Sequence, residues 1–155
     1  MTKFEIAVLS FFTALVAMFG LYSAMAALPP ASYWFAVDRL EVHSGFVGEP
    51  VVIDYEREIN QEFEAAWRVS VWQLDPSSGQ WVSYCVTPET TQTYRTGAAL
   101  PSPVTLDWFA YTSERCYDLP AGTYYISGEW AINPNSRFSR RVSIDSEPFI
   151  LTGNR

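Results

Sequence analysis

The sequence predicts an all-β protein: an antiparallel sandwich of about seven strands, preceded by one N-terminal hydrophobic helix that is a transmembrane or signal segment. Three observations predict it. An uncharged apolar run extends from Ile6 to Leu28 and stops at Pro29-Pro30. The sequence beyond it is built of short alternating runs punctuated by turn residues. No heptad or helical stripe appears after Pro30. The chain therefore divides into an N-terminal segment, 1–30, and a β-domain, 31–155.

As a helix, residues 6–28 would extend roughly 34 Å, enough to cross the hydrocarbon core of a bilayer. The same run also reads as a secretory signal, with Lys3 before it and Ala24-Met25-Ala26 as a small-x-small cleavage pattern. Glu5 cancels Lys3, so charge bias gives the orientation little direction. Both readings place the β-domain outside the cytoplasm, periplasmic or extracellular. It is membrane-anchored in the first and secreted in the second.

Phe35 to Val42 alternates imperfectly and reads as a first strand, bounded by turns at His43-Ser44-Gly45 and Gly48-Glu49-Pro50. Val51, Ile53 and Tyr55 then share one face, with Asp54, Glu56 and Glu58 on the other, as in a half-buried strand. Trp67, Val69 and Val71 share a face opposite Arg68, Ser70 and Trp72. Asp75-Pro76-Ser77-Ser78-Gly79 turns the chain into a returning strand, Gln80 to Val86. Thr87 to Pro103 holds three prolines and reads as a long loop with a short edge strand at its centre. Val104 to Tyr111 and Arg115 to Leu119 are two further strand candidates. Gly122 to Trp130 places Tyr124, Ile126 and Trp130 on one face and Tyr125 and Glu129 on the other. Asn133-Pro134-Asn135-Ser136 is a turn leading into a last strand, Phe138 to Ile150.

Leu119-Pro120-Ala121-Gly122-Thr123-Tyr124 resembles the Leu-x-x-Gly-x-Tyr turn of fibronectin type III and related immunoglobulin-like domains. The resemblance implies an immunoglobulin-like sandwich in which the Tyr124 ring is buried and its hydroxyl bonds to backbone near the corner. It covers the last third of the chain and carries no implication about activity. The chain departs from antibody-type domains in its cysteines, which would fall on a middle strand and near the corner.

Composition narrows the function classes. The β-domain holds no Lys, and its acids outnumber its Arg within a net charge of −7 for the whole chain. That acidic balance argues against nucleic-acid partners, which need a clustered basic footprint. Cys85 and Cys116 are the only cysteines and His43 the only histidine. A disulfide is expected between the two, because structural zinc takes four N or S ligands. The acidic row Asp54, Glu56, Glu58, with Glu62 and Glu64, lacks an Asp-x-Asp-x-Asp-Gly loop, so a solvated strand face is expected rather than a calcium site. No motif for a catalytic residue, metal ligand or cofactor stands out: there is no Walker loop, dinucleotide fingerprint, Gly-x-Ser-x-Gly or His-Glu-x-x-His. No cofactor and no enzymatic activity are expected.

Alternation assigns Trp72 and Tyr125 to an outward face. The immunoglobulin-like resemblance implies that their strands are neighbours, so that with Arg68 and Arg141 they form the candidate partner surface, since Trp, Tyr and Arg dominate binding hot spots. The expected function is a membrane-tethered, exported module with a binding or structural role in an envelope, adhesion or virion assembly, engaging a protein. The alternative is a secreted or periplasmic β-sandwich released by signal cleavage, acting as a carbohydrate-binding or accessory module. A flat, uncovered Trp72–Tyr125 platform would favour the sugar.

Overall fold

In a computed structural model, residues 3–26, 29–133, 136 and 139–153 are described, with the side chains of the N-terminal helix described from Ser10 to Leu21. The chain separates into two compact units, Met1–Pro30 and Ala31–Arg155. The first holds one helix, α1 (Lys3–Ala26), whose described apolar side chains, among them Phe11, Phe12, Val16, Met18 and Phe19, are exposed. Among the described residues no helix is long and apolar enough to cross a membrane, which leaves the span expected over 6–28 without structural support.

The second unit is a β-sandwich. Its strands are β1 (Phe35–Val42), β2 (Gly45–Phe46), β3 (Val52–Ile59), β4 (Phe63–Leu74), β5 (Trp81–Val86), β6 (Thr90–Tyr94), β7 (Val104–Thr105), β8 (Gly122–Ile132), β9 (Arg140–Asp145) and β10 (Phe149–Thr152). A small sheet has the order β1-β3-β7. The large sheet has the order β2-β10-β8-β4-β5, with β6 also pairing with β4 and β9 with β8. All pairings are antiparallel except the short β10–β2 contact. The sheets bury alternate residues against each other, as period-two side chains require. Leu40, Val42, Ile53 and Tyr55 from the small sheet meet Val69, Val71, Ile126 and Trp130 from the large one in one core.

The strand count exceeds the expected seven for three local reasons. β6 pairs along Phe63–Trp67 of β4, so the Thr87–Pro103 segment contributes an edge. The expected strand Phe138 to Ile150 is two strands lying on the same side of β8. They are separated where Ser146 turns inward to exchange hydrogen bonds with Ile126, and Pro148, which has no N–H, follows. Phe138 itself, like Pro134 and Asn135 of the expected turn, lies outside the described residues. β2 and β7 are two-residue bridges.

The two strands expected over Val104 to Tyr111 and Arg115 to Leu119 are not formed beyond β7. A one-turn helix, α2 (Leu106–Phe109), and a 3-10 turn at Glu114–Cys116 take their place. Leu106, Phe109 and Ala110 are all buried. Their i, i+3, i+4 spacing puts them on one side of a helical turn, where a strand would have divided them. The imperfect alternation of β1 has a similar local origin. A bulge between Val37 and Arg39 leaves Asp38 unpaired and two consecutive side chains exposed.

The hairpin β4–β5 closes as its sequence requires. The Asp75 carboxylate accepts hydrogen bonds from the Ser77 N–H and from the Ser77 and Ser78 hydroxyls, and Gly79 supplies the left-handed residue at φ 67°. These donors, the Ser77 N–H foremost, hold the Asp75 carboxyl below its ordinary range.

Cys85 and Cys116 are disulfide-bonded, with Cα atoms 5.6 Å apart. Cys85 lies on β5, an edge strand of the large sheet rather than the middle strand expected. Tyr124 is fully buried, donates its hydroxyl hydrogen to the Pro120 carbonyl at 2.9 Å and accepts from Gln73 Nε2 at 3.1 Å. Burial, reinforced by neighbouring Tyr84, pushes its phenol from 10.0 up to about 12. In the unfolded chain the same phenol ionises at its ordinary value. The stability this group contributes is therefore whole below pH 10 and lost as pH rises from there through about 12. Alkaline titration should show cooperative unfolding coincident with tyrosinate absorbance. In Tyr124→Phe that alkaline loss should begin at higher pH.

Candidate functional site

The outward side of the large sheet brings the sequence-predicted residues together. β4 and β8 are direct neighbours, pairing Trp72 with Tyr125, Ser70 with Ser127 and Arg68 with Glu129. On the far side of β8, β9 pairs Ala131 with Arg141 and Glu129 with Ser143. Strict alternation of burial along β8 fixes which residues project outward. Arg68, Trp72, Tyr125 and Arg141 thus share one face.

That face has two ends of different chemistry. At one end the Trp72 and Tyr125 rings are parallel, 6.0 Å apart, and Trp81 from β5 meets Tyr125 edge-on at 4.8 Å. Trp72 is half-buried rather than exposed as expected, because Tyr125 lies against it and a bulge between Val71 and Trp72 sets it opposite Ser83 of β5. Trp81, absent from the predicted set, is exposed. At the other end Arg68 and Glu129 form a two-point ion pair at 2.6 and 2.8 Å, with both side chains about two-fifths exposed. Such an exposed pair adds at most about 1 kcal/mol to stability. Arg141 and Glu89 line a shallow depression beside it. Arg141 has no carboxylate within ion-pair distance among the described residues. Arg137, which with Arg140 and Arg141 makes a short basic run in the sequence, lies outside the described residues.

Of the acidic row, Asp54, Glu56 and Glu58 lie on the outside of the small sheet, Glu62 lies between β3 and β4, and Glu64 is on β4 of the large sheet. Arg39 bridges Glu41 at 2.6 Å, Asp54 at 3.4 Å and Glu56 at 3.8 Å, and His43 contacts Asp54 at 3.1 Å. One guanidinium thus partly offsets three carboxylates on an exposed strand face. Among the described residues no group of His, Cys, Asp and Glu is arranged to hold a metal ion.

A second site was not anticipated from the sequence. Between the sheets, beside α2, a pocket of about 130 Å³ is lined by Tyr55, Arg57, Trp67, Gln92, Tyr94, Trp108, Phe109, Tyr111 and Trp130. Arg57 follows Ile53 and Tyr55 on the inward side of β3, and its guanidinium carbon lies 5.8 Å from the Tyr55 ring and 5.5 Å from the Tyr94 ring. An inward-facing charge in an alternating strand is the signal that would have found it. No family of proteins matches the chain, and it is similar to no curated protein or solved structure.

Proposed function

We propose that this chain is an extracytoplasmic module of immunoglobulin-like build, tethered to a membrane by its N-terminal segment and engaging a protein partner in an envelope, adhesion or virion assembly. The outer face of the large sheet carries this reading. It offers Trp81, Trp72 and Tyr125 at one end and Arg68 and Arg141 at the other, the residue types from which hot spots are made. A disulfide joining Cys85 and Cys116 supports an oxidising compartment. The buried Tyr124 and its bond to Pro120 support the immunoglobulin-like resemblance. The uncharged run 6–28, helical over most of its length in α1, supports attachment.

A protein is favoured over carbohydrate by the ring geometry. Trp72 is half-buried and Trp81 stands edge-on to Tyr125, so the three rings do not present the flat open platform on which a sugar stacks. They leave an apolar ridge with charged residues beside it, a shape suited to packing against another protein surface. Crosslinking in native membranes with the intact chain tests this. Arg141→Ala and Trp72→Ala should each reduce the yield of one crosslinked partner several-fold. Thermal unfolding should be nearly unchanged for Arg141→Ala and lowered by about 1 kcal/mol for Trp72→Ala, which loses the Tyr125 contact. Undiminished capture by both variants would reject the surface.

A further inference from the structure

We infer that the pocket between the sheets binds a small planar ring bearing one carboxylate, with the Arg57 guanidinium receiving the carboxylate. The site lies between the sheets, separate from the outer face. Charge is the first support. Arg57 occupies an inward-facing position on β3, where its neighbours are rings, and no ion pair joins it to a carboxylate among the described residues. Glu56 and Glu58 project from the opposite side of the strand, where Glu56 meets Arg39. A guanidinium so placed is a bidentate receptor for a carboxylate.

Unfilled hydrogen-bonding capacity is the second support. Tyr55 Oη, Arg57 Nε and Trp67 Nε1 are buried without a hydrogen bond of good geometry, although the Tyr55 hydroxyl lies close enough to the Arg57 guanidinium to interact with it, and all three belong to residues lining this pocket. Tyr55 and Trp67 are each only 6% exposed. Three such polar groups at one place cost about 1–3 kcal/mol each, and the two from Arg57 and Trp67 can only donate. An acceptor is therefore the complement. Burial raises the Tyr55 phenol above its ordinary range, keeping it a neutral donor.

Size and walls define the rest of the ligand. A volume of about 130 Å³ is close to the roughly 150 Å³ apolar cavity that admits a single benzene, and too small for a length of peptide. Phe109 and Trp130 form the inner wall, and exposed Trp108 and Tyr111 stand at the mouth. They give a single ring faces and edges to pack on.

Ligand-observed fluorine NMR on the full chain in nanodiscs, comparing 4-fluorobenzoate with neutral 4-fluorobenzamide, tests the inference. The acid should bind saturably and at least about tenfold more tightly than the amide, the preference expected of a charge-assisted pair. Arg57→Gln, with its folding checked by thermal unfolding, should erase that preference. Equal binding of acid and amide by the native chain, binding of neither, or a preference that survives Arg57→Gln would overturn the inference.

Discussion

Trp130→Ala should destabilise the β-domain by about 3–5 kcal/mol, the range of fully buried aromatic truncations. Trp130 is 2% exposed and stands where the two sheets meet. Its ring lies 5.3 Å from Phe35 and 6.4 Å from both Tyr55 and Phe109, and its Nε1–H donates to Tyr94 Oη at 2.9 Å. Truncation therefore opens a cavity, ends three ring contacts and removes the Tyr94 hydrogen bond. Gly128 provides an internal control. A Cβ at that position would stand 2.6 Å from Trp130 Cη2 and 2.9 Å from Cζ3, so the ring occupies the space a side chain would need. Gly128→Ala should cost about 1–3 kcal/mol in the native background. It should cost much less, or be neutral, once Trp130 is Ala, and a double-mutant cycle by denaturant unfolding measures the difference. Additive costs would mean that the ring does not rest on Gly128.

Replacing both cysteines by alanine should cost about 3.5–4 kcal/mol, the loop-closure value for their sequence separation of 31. The bond ties β5 of the large sheet to the turn that follows α2, so it holds the whole connection from β7 to β8 against the sandwich. Little else in that connection is regular: α2 is a single turn and the 3-10 segment is three residues. Double alanine is the cleaner variant, because Cys116 is fully buried and serine would leave a hydroxyl in its place. The midpoint of chemical unfolding should fall while the far-ultraviolet spectrum stays that of a β-protein. An unchanged midpoint would show that the connection is held by its own packing.

Where alternation ran uninterrupted, the strands were legible from residues alone. β3, β4 and β8 follow the period-two pattern closely enough that Val51, Ile53, Tyr55, Trp67, Val69, Val71, Tyr124, Ile126 and Trp130 could all be assigned inward, and all are buried. The segment Val104 to Leu119 was misread because one helical turn is too short to establish a 3.6-residue period. Its apolar residues satisfy alternation nearly as well. The split of β9 from β10 depends on Ser146 reaching the Ile126 backbone, a tertiary contact with no local signature. The outer face was legible because strand parity turned Trp72 and Tyr125 outward and the immunoglobulin-like resemblance made their strands neighbours. Trp81 was missed because β5 carries no clear inward face. Arg57 was legible in principle, yet the acidic row on the other side of β3 dominates the charge pattern of that strand. Trp108 and Tyr111 join it only through α2.

The most direct measurement places a photoreactive residue, one site at a time, at Ser127 and Ser143 on the outer face of the large sheet. Glu56 and Glu58 on the outer face of the small sheet serve as counterparts. Irradiation is carried out on the full chain in its native membranes. The proposed function predicts a discrete protein adduct from Ser127 and Ser143 and none from Glu56 or Glu58. Adducts from the small-sheet positions alone, or none from any of the four, would contradict it.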